Sequence, residues 1–213
     1  MLIRQNYQDE RRTQIKKLVL ETLDDLIQMT IYYEAFLEDP TDENRDFVLN
    51  TENYVNKNEK RIERYILEVI SLEQLNTNEI KWLFSINKMI RDLERIGDQL
   101  INIVVISDIV DVKELRPIIN DFFQYEQDMM HWLMDGIKHN HIEKLDQVIS
   151  HDKHVNNLNK DTFKGLVHLI DENETLTESK LKTIIISRFL ERIGDHLVNV
   201  AETYKKVVRV DQK

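Results

Sequence analysis

The chain has 213 residues, of which 41% are hydrophobic and 32% are charged, with four glycines, two prolines and no cysteine. So few helix-breaking residues favour long helices, and a chain without cysteine has no disulfides, thiolate metal sites or cysteine nucleophile. A net charge of −10 argues against nucleic acid and anionic membranes as partners and favours metal ions or basic protein surfaces. Because no run of about 18 apolar residues occurs, and MLIRQNYQDERR lacks an apolar signal segment, we expect a cytoplasmic protein without membrane insertion.

The first half of the chain predicts three helices. Apolar residues recur at spacings of three and four across 6–38, as in an amphipathic helix, and Asp39-Pro40 ends the pattern because residues before proline avoid helical torsions. The same spacing predicts a second helix over 43–71. A third helix begins at the capping residues 76–78 and continues to Ile109, through a β-branched stretch that we interpret as helical.

The second half predicts three more helices. Pro117, the only other proline, is expected to open the fourth helix, which continues to residue 139, and the fifth is expected over 142–170. The sixth is expected over 178–210, with Thr175 and Glu178 at capping-box spacing. The fold class predicted is therefore all-α, with tandem three-helix bundles in residues 1–113 and 114–213.

An internal repeat supports this division. RDLERIGDQLIN at 91–102 returns as RFLERIGDHLVN at 188–199, with nine of twelve positions identical. In the second helix of each half, TENYVN at 51–56 corresponds to HDKHVN at 151–156. The two offsets, 97 and 100, differ by the length of a short loop, so each half is interpreted as one copy of the same unit.

The repeated segments carry acids at helical spacing. Glu94 and Asp98 are one turn apart and lie well away from the apolar face, so we expect them at the rim of the core. Such carboxylate pairs can hold a hard cation when a neighbouring helix or water completes the coordination. Four oxygen-bearing side chains per half are therefore candidate metal ligands: Glu52, Asn56, Glu94 and Asp98 in the first, and Asp152, Asn156, Glu191 and Asp195 in the second.

The acids also admit a plainer interpretation. Arg91 precedes Glu94 by three residues, and Arg95 precedes Asp98 by three, so the stripe could consist of exposed ion pairs within one helix. Duplication favours binding of a metal or a partner, because surface ion pairs tolerate sequence drift. Gly97, and its counterpart in the second copy, lie on the apolar side, where we expect close approach of a neighbouring helix backbone.

The histidines suggest a second metal hypothesis. Four of them, His139, His141, His151 and His154, lie within sixteen residues, a composition that can bind zinc but more often marks an exposed loop. A carboxylate dimetal enzyme is a further alternative. It is disfavoured because the Glu-x-x-His signature of di-iron bundles is missing at both repeated motifs.

The two LERIGD copies, each followed by Asn four residues after its Asp, resemble the motifs of the PhoU family of phosphate-signalling proteins. The resemblance covers nearly the whole chain. It implies two three-helix bundles, each able to hold divalent or trivalent ions such as iron, zinc or manganese, including multinuclear clusters, at E/D-x-x-x-D motifs. Asn56 and Asn156 depart from that pattern, because each stands where the family usually has Asp.

The resemblance also implies a role and partners. Members of the family act as negative regulators of phosphate uptake, contacting the ATPase subunit of the phosphate importer and the phosphate-sensing histidine kinase. We therefore expect a non-enzymatic, cytoplasmic, metal-binding regulator that forms a homodimer. A metal-free adaptor, in which the acidic stripes bind basic protein surfaces, is the alternative.

Overall fold

The computed structural model describes residues 2–107, 112–171 and 177–211, and these residues form six α-helices. In chain order they are α1 (Leu2–Glu38), α2 (Asp42–Leu72), α3 (Thr77–Ser107), α4 (Val112–His139), α5 (Ile142–Asp171) and α6 (Glu178–Asp211). The predicted all-α fold of two tandem three-helix bundles is confirmed.

The helix boundaries agree with the prediction at most ends and differ at two starts. The first helix begins at Leu2 instead of residue 6. The fourth helix begins at Val112, so Pro117 lies inside it instead of opening it. A proline in the second turn removes a single backbone hydrogen bond, while Leu115 and Ile119 beside it are fully buried and hold the segment against the core. The predicted end of the third helix at Ile109 lies outside the described residues.

Side-chain caps begin three of the helices. Before α2, Thr41 Oγ1 accepts a hydrogen bond from the backbone N–H of Asn44 at 3.3 Å. The Asn76 side chain accepts hydrogen bonds from the backbone N–H groups of Asn78 (2.9 Å) and Glu79 (3.0 Å), and Glu79 accepts one from the backbone N–H of Asn76 at 2.7 Å. This reciprocal pair is a capping box. Before α6, Thr177 Oγ1 accepts from the N–H of Lys180 at 3.3 Å, whereas the predicted cap, Thr175, lies outside the described residues.

The two halves superimpose in their burial pattern. Val19, Leu23, Met29, Tyr33 and Leu37 of α1 are buried, and the residues 100 positions later in α4 are buried too: Ile119, Phe123, Met129, Leu133 and Ile137. The same offset relates α2 to α5, because both helices follow equivalent short loops. Position 26 of the first half therefore corresponds to position 126 of the second.

The third helices join the halves, because α3 and α6 make the most extensive helix–helix contact in the structure. A buried hydrogen bond crosses this contact: Asp92 of α3 is 3% exposed, and its carboxylate lies 2.9 Å from Nδ1 of His196 in α6. No helix in the described part of the chain is long and apolar enough to cross a membrane.

Candidate metal centre

The repeated acids lie at the edge of the core. The six apolar residues that the sequence assigns to the opposite face of α3 are all buried: Ile86, Met89, Ile90, Leu93, Leu100 and Val104. Glu94 and Glu191 are partly buried, and Asp98 and Asp195, one turn further along, are exposed. Each pair therefore has one carboxylate that is partly shielded from water and one that is open to it.

In the first half, α2 and α3 bring their acids together. Burial raises the pKa of Glu94, and so does repulsion from Asp98, Glu59 and Glu52. Asn56 donates a short hydrogen bond to the Glu52 carboxylate, so the second-helix pair faces the same cluster. The predicted residues of this half are therefore neighbours, joined by one acid that was not predicted.

That additional acid is Glu59. Its pKa is raised by burial first and then by the neighbouring Glu63, with a smaller contribution from Asp98. It lies seven residues, or two helical turns, after Glu52, so the stripe of oxygen-bearing side chains on α2 extends further than the four-residue motif. This spacing of seven residues was visible in the sequence and could have identified Glu59 as a member of the cluster.

Neither of the two predicted intrahelical ion pairs forms in the first half. Arg91 pairs with Glu63 of α2 at 3.0 Å instead of Glu94, and Arg95 lies 3.8 Å from Asp92 instead of Asp98. The plainer interpretation of the acidic stripe is therefore wrong for α3. In the second half one such contact does form, with Arg188 lying 3.4 Å from Glu191.

In the second half, α5 and α6 make the equivalent cluster. Burial raises the pKa of Asp152, followed by repulsion from Asp195, while a hydrogen bond from Asn156 at 2.5 Å opposes the shift and Glu191 adds to it. The second oxygen of Asp152, Oδ1, is buried and has no hydrogen-bond partner among the described residues. A buried carboxylate oxygen without a donor is unusual, because desolvation is costly.

A further acid that was not predicted enters this cluster from α4. Glu126 is fully buried, and neither of its carboxylate oxygens has a hydrogen-bond partner among the described residues. Burial raises its pKa well above the usual range, and the negative charge of Asp152 adds to the shift. The sequence signal was its position on the apolar stripe of α4, three residues after Phe123 and three before Met129.

We expected the repeated glycines to make room for a neighbouring helix backbone. In the structure they make room for side chains instead. A methyl group at Gly97 would lie 3.5 Å from Val55 Cγ1 and 3.7 Å from Leu26 Cδ2, which are ordinary contacts. At Gly194 it would lie 2.9 Å from Asp152 Oδ1 and 3.0 Å from a methyl of Val155. Glycine in α6 is therefore what allows Asp152 to approach the helix that carries Glu191 and Asp195.

The carboxylate and amide oxygens suit a hard cation, although they are not arranged around a common point in this structure. Across residues 2–107, 112–171 and 177–211, no three His, Asp or Glu side chains are arranged to hold one metal ion. The two amides bind the carboxylates beside them, so Asn56 and Asn156 would have to rotate for a cation to use those oxygens. A cation would give the buried, unpaired oxygens of Asp152 and Glu126 a partner. It would also reduce the repulsion among the acids.

The histidines do not form one cluster. His139 and His141 lie 3.8 and 3.2 Å from Asp135, at the exposed end of α4. His151 and His154 are in α5, where they pack against aromatic rings of α4. The two pairs therefore occupy different places, and neither contributes a side chain to the acidic clusters described above.

Two bundles of three helices, each carrying an acidic cluster between its second and third helices, define a duplicated helical-bundle protein with paired acidic surfaces. The family model for the PhoU domain matches the chain twice, at residues 13–106 and 119–204. Those matches cover most of the sequence, one in each half. The chain belongs to the PhoU family.

Curated relatives agree with this assignment. A phosphate-specific transport system accessory protein PhoU homolog from Clostridium acetobutylicum is 22% identical over 167 residues, covering 76% of both chains. A homolog with the same name from Pseudomonas aeruginosa is 25% identical over 166 residues, covering 76% of this chain and 69% of its own. Both names describe an accessory protein of a transport system.

Solved structures share the fold. The crystal structure of PhoU from Pseudomonas aeruginosa has a TM-score of 0.75 at 21% identity, and the phosphate transport system regulatory protein PhoU from Streptococcus pneumoniae has 0.79 at 17%. Each comparison covers 96% of both chains. The arrangement of six helices is therefore that of PhoU proteins along nearly the whole chain.

Proposed function

We propose that this protein is a cytoplasmic, metal-binding regulator of phosphate transport that restrains phosphate uptake when phosphate is plentiful. The observation that carries the metal-binding part is the duplicated acidic cluster, in which Glu94 and Asp98 of α3 meet acids of α2, and Glu191 and Asp195 of α6 meet Asp152 of α5. Family membership and the names of the relatives support the role in phosphate transport.

A bound cation would act on structure and not on chemistry. It would neutralise carboxylates whose pKa values are raised by burial and then by mutual repulsion, and it would fix the second helix of each bundle against the third. Iron, manganese or zinc could fill this role, because carboxylate and amide oxygens accept all three. Metal occupancy would thereby determine how rigidly the second and third helices hold the acidic side chains that contact a partner.

The partners we propose are the ATPase subunit of the phosphate importer and the phosphate-sensing histidine kinase, with the protein acting as a homodimeric adaptor between them. Net charge of −10 and the open carboxylates of Asp98 and Asp195 favour basic contact surfaces. Exposed apolar side chains such as Leu67 (64% exposed) and Phe84 (65%) offer a surface for self-association. Light scattering on the purified protein measures the dimer directly.

One experiment tests metal and role together. Metal content is measured by mass spectrometry on untagged protein and on a variant carrying Glu94→Gln, Asp98→Asn, Glu191→Gln and Asp195→Asn. The same two proteins are then tested for co-purification with the importer ATPase and the kinase, and for repression of a phosphate-regulon reporter in high phosphate. We expect the variant to remain helical, to lose the metal and to fail at repression.

A second candidate is a metal-free adaptor, and one observation favours it: Asn56 and Asn156 already occupy the carboxylates of Glu52 and Asp152 by hydrogen bonding. Under this alternative the parent protein stays metal-free after incubation with iron, manganese and zinc, yet still binds its partners. Partner binding by the parent without any metal uptake would therefore select this candidate over the first.

A further inference from the structure

The two acidic clusters are not equivalent, although the motifs that build them are repeated. Each has four carboxylates and one asparagine, but the fourth carboxylate comes from a different place. In the first half it is Glu59 of α2, which lies on the partly exposed stripe; in the second it is Glu126 of α4, which is fully buried. The position equivalent to Glu59 in the second half is occupied by Asn159.

Glu126 stands where the first half has a core leucine. The offset of 100 residues maps Glu126 onto Leu26, and Leu26 Cδ2 lies 3.7 Å from the place where a methyl at Gly97 would be. Both positions are fully buried. A carboxyl group has therefore replaced an apolar side chain beside the repeated motif, at the inner wall of the cluster.

Nothing in the described protein compensates for this replacement. Both oxygens of Glu126 and Oδ1 of Asp152 are buried without hydrogen-bond partners, and the two side chains are close enough to repel each other. A buried carboxyl without a donor is less stable than a leucine that fills the same space, because its lost hydration is not replaced. A cation held by both side chains would replace that hydration, and its attraction would be strong because the surroundings are dry.

We propose that Glu126 is a metal ligand that reaches the second-half cluster from inside the bundle, and that it makes this half the tighter of the two cation sites. The proposal rests on the metal-binding part of the proposed function. It adds a residue outside the repeated motifs and assigns different affinities to the two halves. The first half, with Leu26 at the same position, binds its cation only from the exposed side.

The test uses the full chain and manganese(II), an oxygen-preferring ion whose free form is counted by electron paramagnetic resonance. A background carrying Glu94→Gln and Asp98→Asn removes the first-half cluster, and Glu126→Leu or Glu126→Gln is then added. Leucine copies the first half, while glutamine preserves size and tests charge alone. Asp121→Asn in the same background is the matched control, because it removes an exposed acid from the same helix as Glu126.

We expect the background protein to bind manganese, and both Glu126 variants to bind at least about tenfold more weakly, the loss typical when a group around a metal is removed. Asp121→Asn leaves the binding unchanged. The melting temperature without metal rises in Glu126→Leu, while the increase on adding manganese shrinks, so stability and binding change in opposite directions. Circular dichroism verifies that every variant is folded.

Two results would overturn the inference, and they differ from each other. If the unmodified protein binds manganese and both Glu126 variants bind equally well in the background, Glu126 is only a neutral core residue. In that case metal binding by the motifs still stands. If the unmodified protein binds no manganese at all, the metal-binding part of the proposed function fails along with the inference.

Discussion

Alanine at the two repeated glycines should have opposite effects on stability. At Gly97 the added methyl meets Val55 Cγ1 at 3.5 Å and Leu26 Cδ2 at 3.7 Å, so it fits without displacement. Alanine is about 1 kcal/mol better than glycine inside a helix, so we expect Gly97→Ala to raise the free energy of unfolding by about 0.5–1 kcal/mol. The substitution changes no charge and touches no predicted ligand oxygen.

At Gly194 the same methyl collides with its neighbours. It would lie 3.0 Å from Val155 Cγ1 and 3.4 Å from Val155 Cβ, and valine in a helix has essentially one rotamer, so α5 itself must move. Overpacking of this kind costs about 1–3 kcal/mol, and the gain in helix propensity offsets about 1 kcal/mol of it. Gly194→Ala should therefore lower the free energy of unfolding by about 1 kcal/mol, leaving the two variants about 2 kcal/mol apart.

Urea unfolding in the presence of a chelator, followed by circular dichroism at neutral pH, measures both variants against the parent. Val155→Ala provides an internal check, because it removes the colliding methyl and should make Gly194→Ala less destabilising in the double variant. The reasoning fails if Gly194→Ala is as stable as Gly97→Ala, or if removing the Val155 methyls does not change its cost.

Three more predictions concern other parts of the fold. Burial, and then the neighbouring acids, raise the pKa of Asp25 to about 6. Because the folded state then holds this proton more tightly than the unfolded state, the free energy of unfolding should fall as pH rises to about 6. Asp25→Asn should flatten that dependence, as measured by urea titrations at several pH values. His196→Ala leaves the buried Asp92 carboxylate without its 2.9 Å partner and should cost about 2 kcal/mol, a figure that an unchanged melting temperature would contradict. Asn76→Ala removes the acceptor of the α3 capping box and should cost about 1 kcal/mol by chemical unfolding, whereas Asn76→Asp, which preserves the acceptor, should not.

The fold could be predicted because helix periodicity and the repeat are both local properties of the sequence. Apolar spacing defined all six helices, and the offset between the LERIGD copies divided the chain into two bundles. The predicted start of α4 was wrong because tertiary packing can outweigh the one backbone hydrogen bond that a proline removes, and the helix then begins before the proline. In this chain Leu115 and Ile119 are buried on either side of it.

The places of the clustered acids could be predicted in part, for a related reason, while their role as metal ligands stays a prediction. In each half the predicted ligand positions lie on neighbouring helices. Each pair could be found in the sequence because a spacing of four residues places two side chains on one face of a helix. Glu126 was missed because its importance depends on burial and on the helix across from it, which a helical pattern does not contain. The roles of the glycines were also misjudged, since only the packed structure shows that Val55 and Val155, and not a backbone, face them.

The hydrogen bond between Asp92 of α3 and His196 of α6 determines which halves can pair with each other. Within the duplicated segment, the offset of 97 maps Asp92 onto Phe189 and His196 onto Gln99, so the buried pair falls on two of the few positions where the copies differ. Two copies of either half alone could not rebuild it. A dimer of the first half would place Asp92 opposite Gln99, and a dimer of the second half would place Phe189 opposite His196. This hydrogen bond therefore forms only between one first half and one second half, and it makes the contact between α3 and α6 asymmetric although the motifs are repeated.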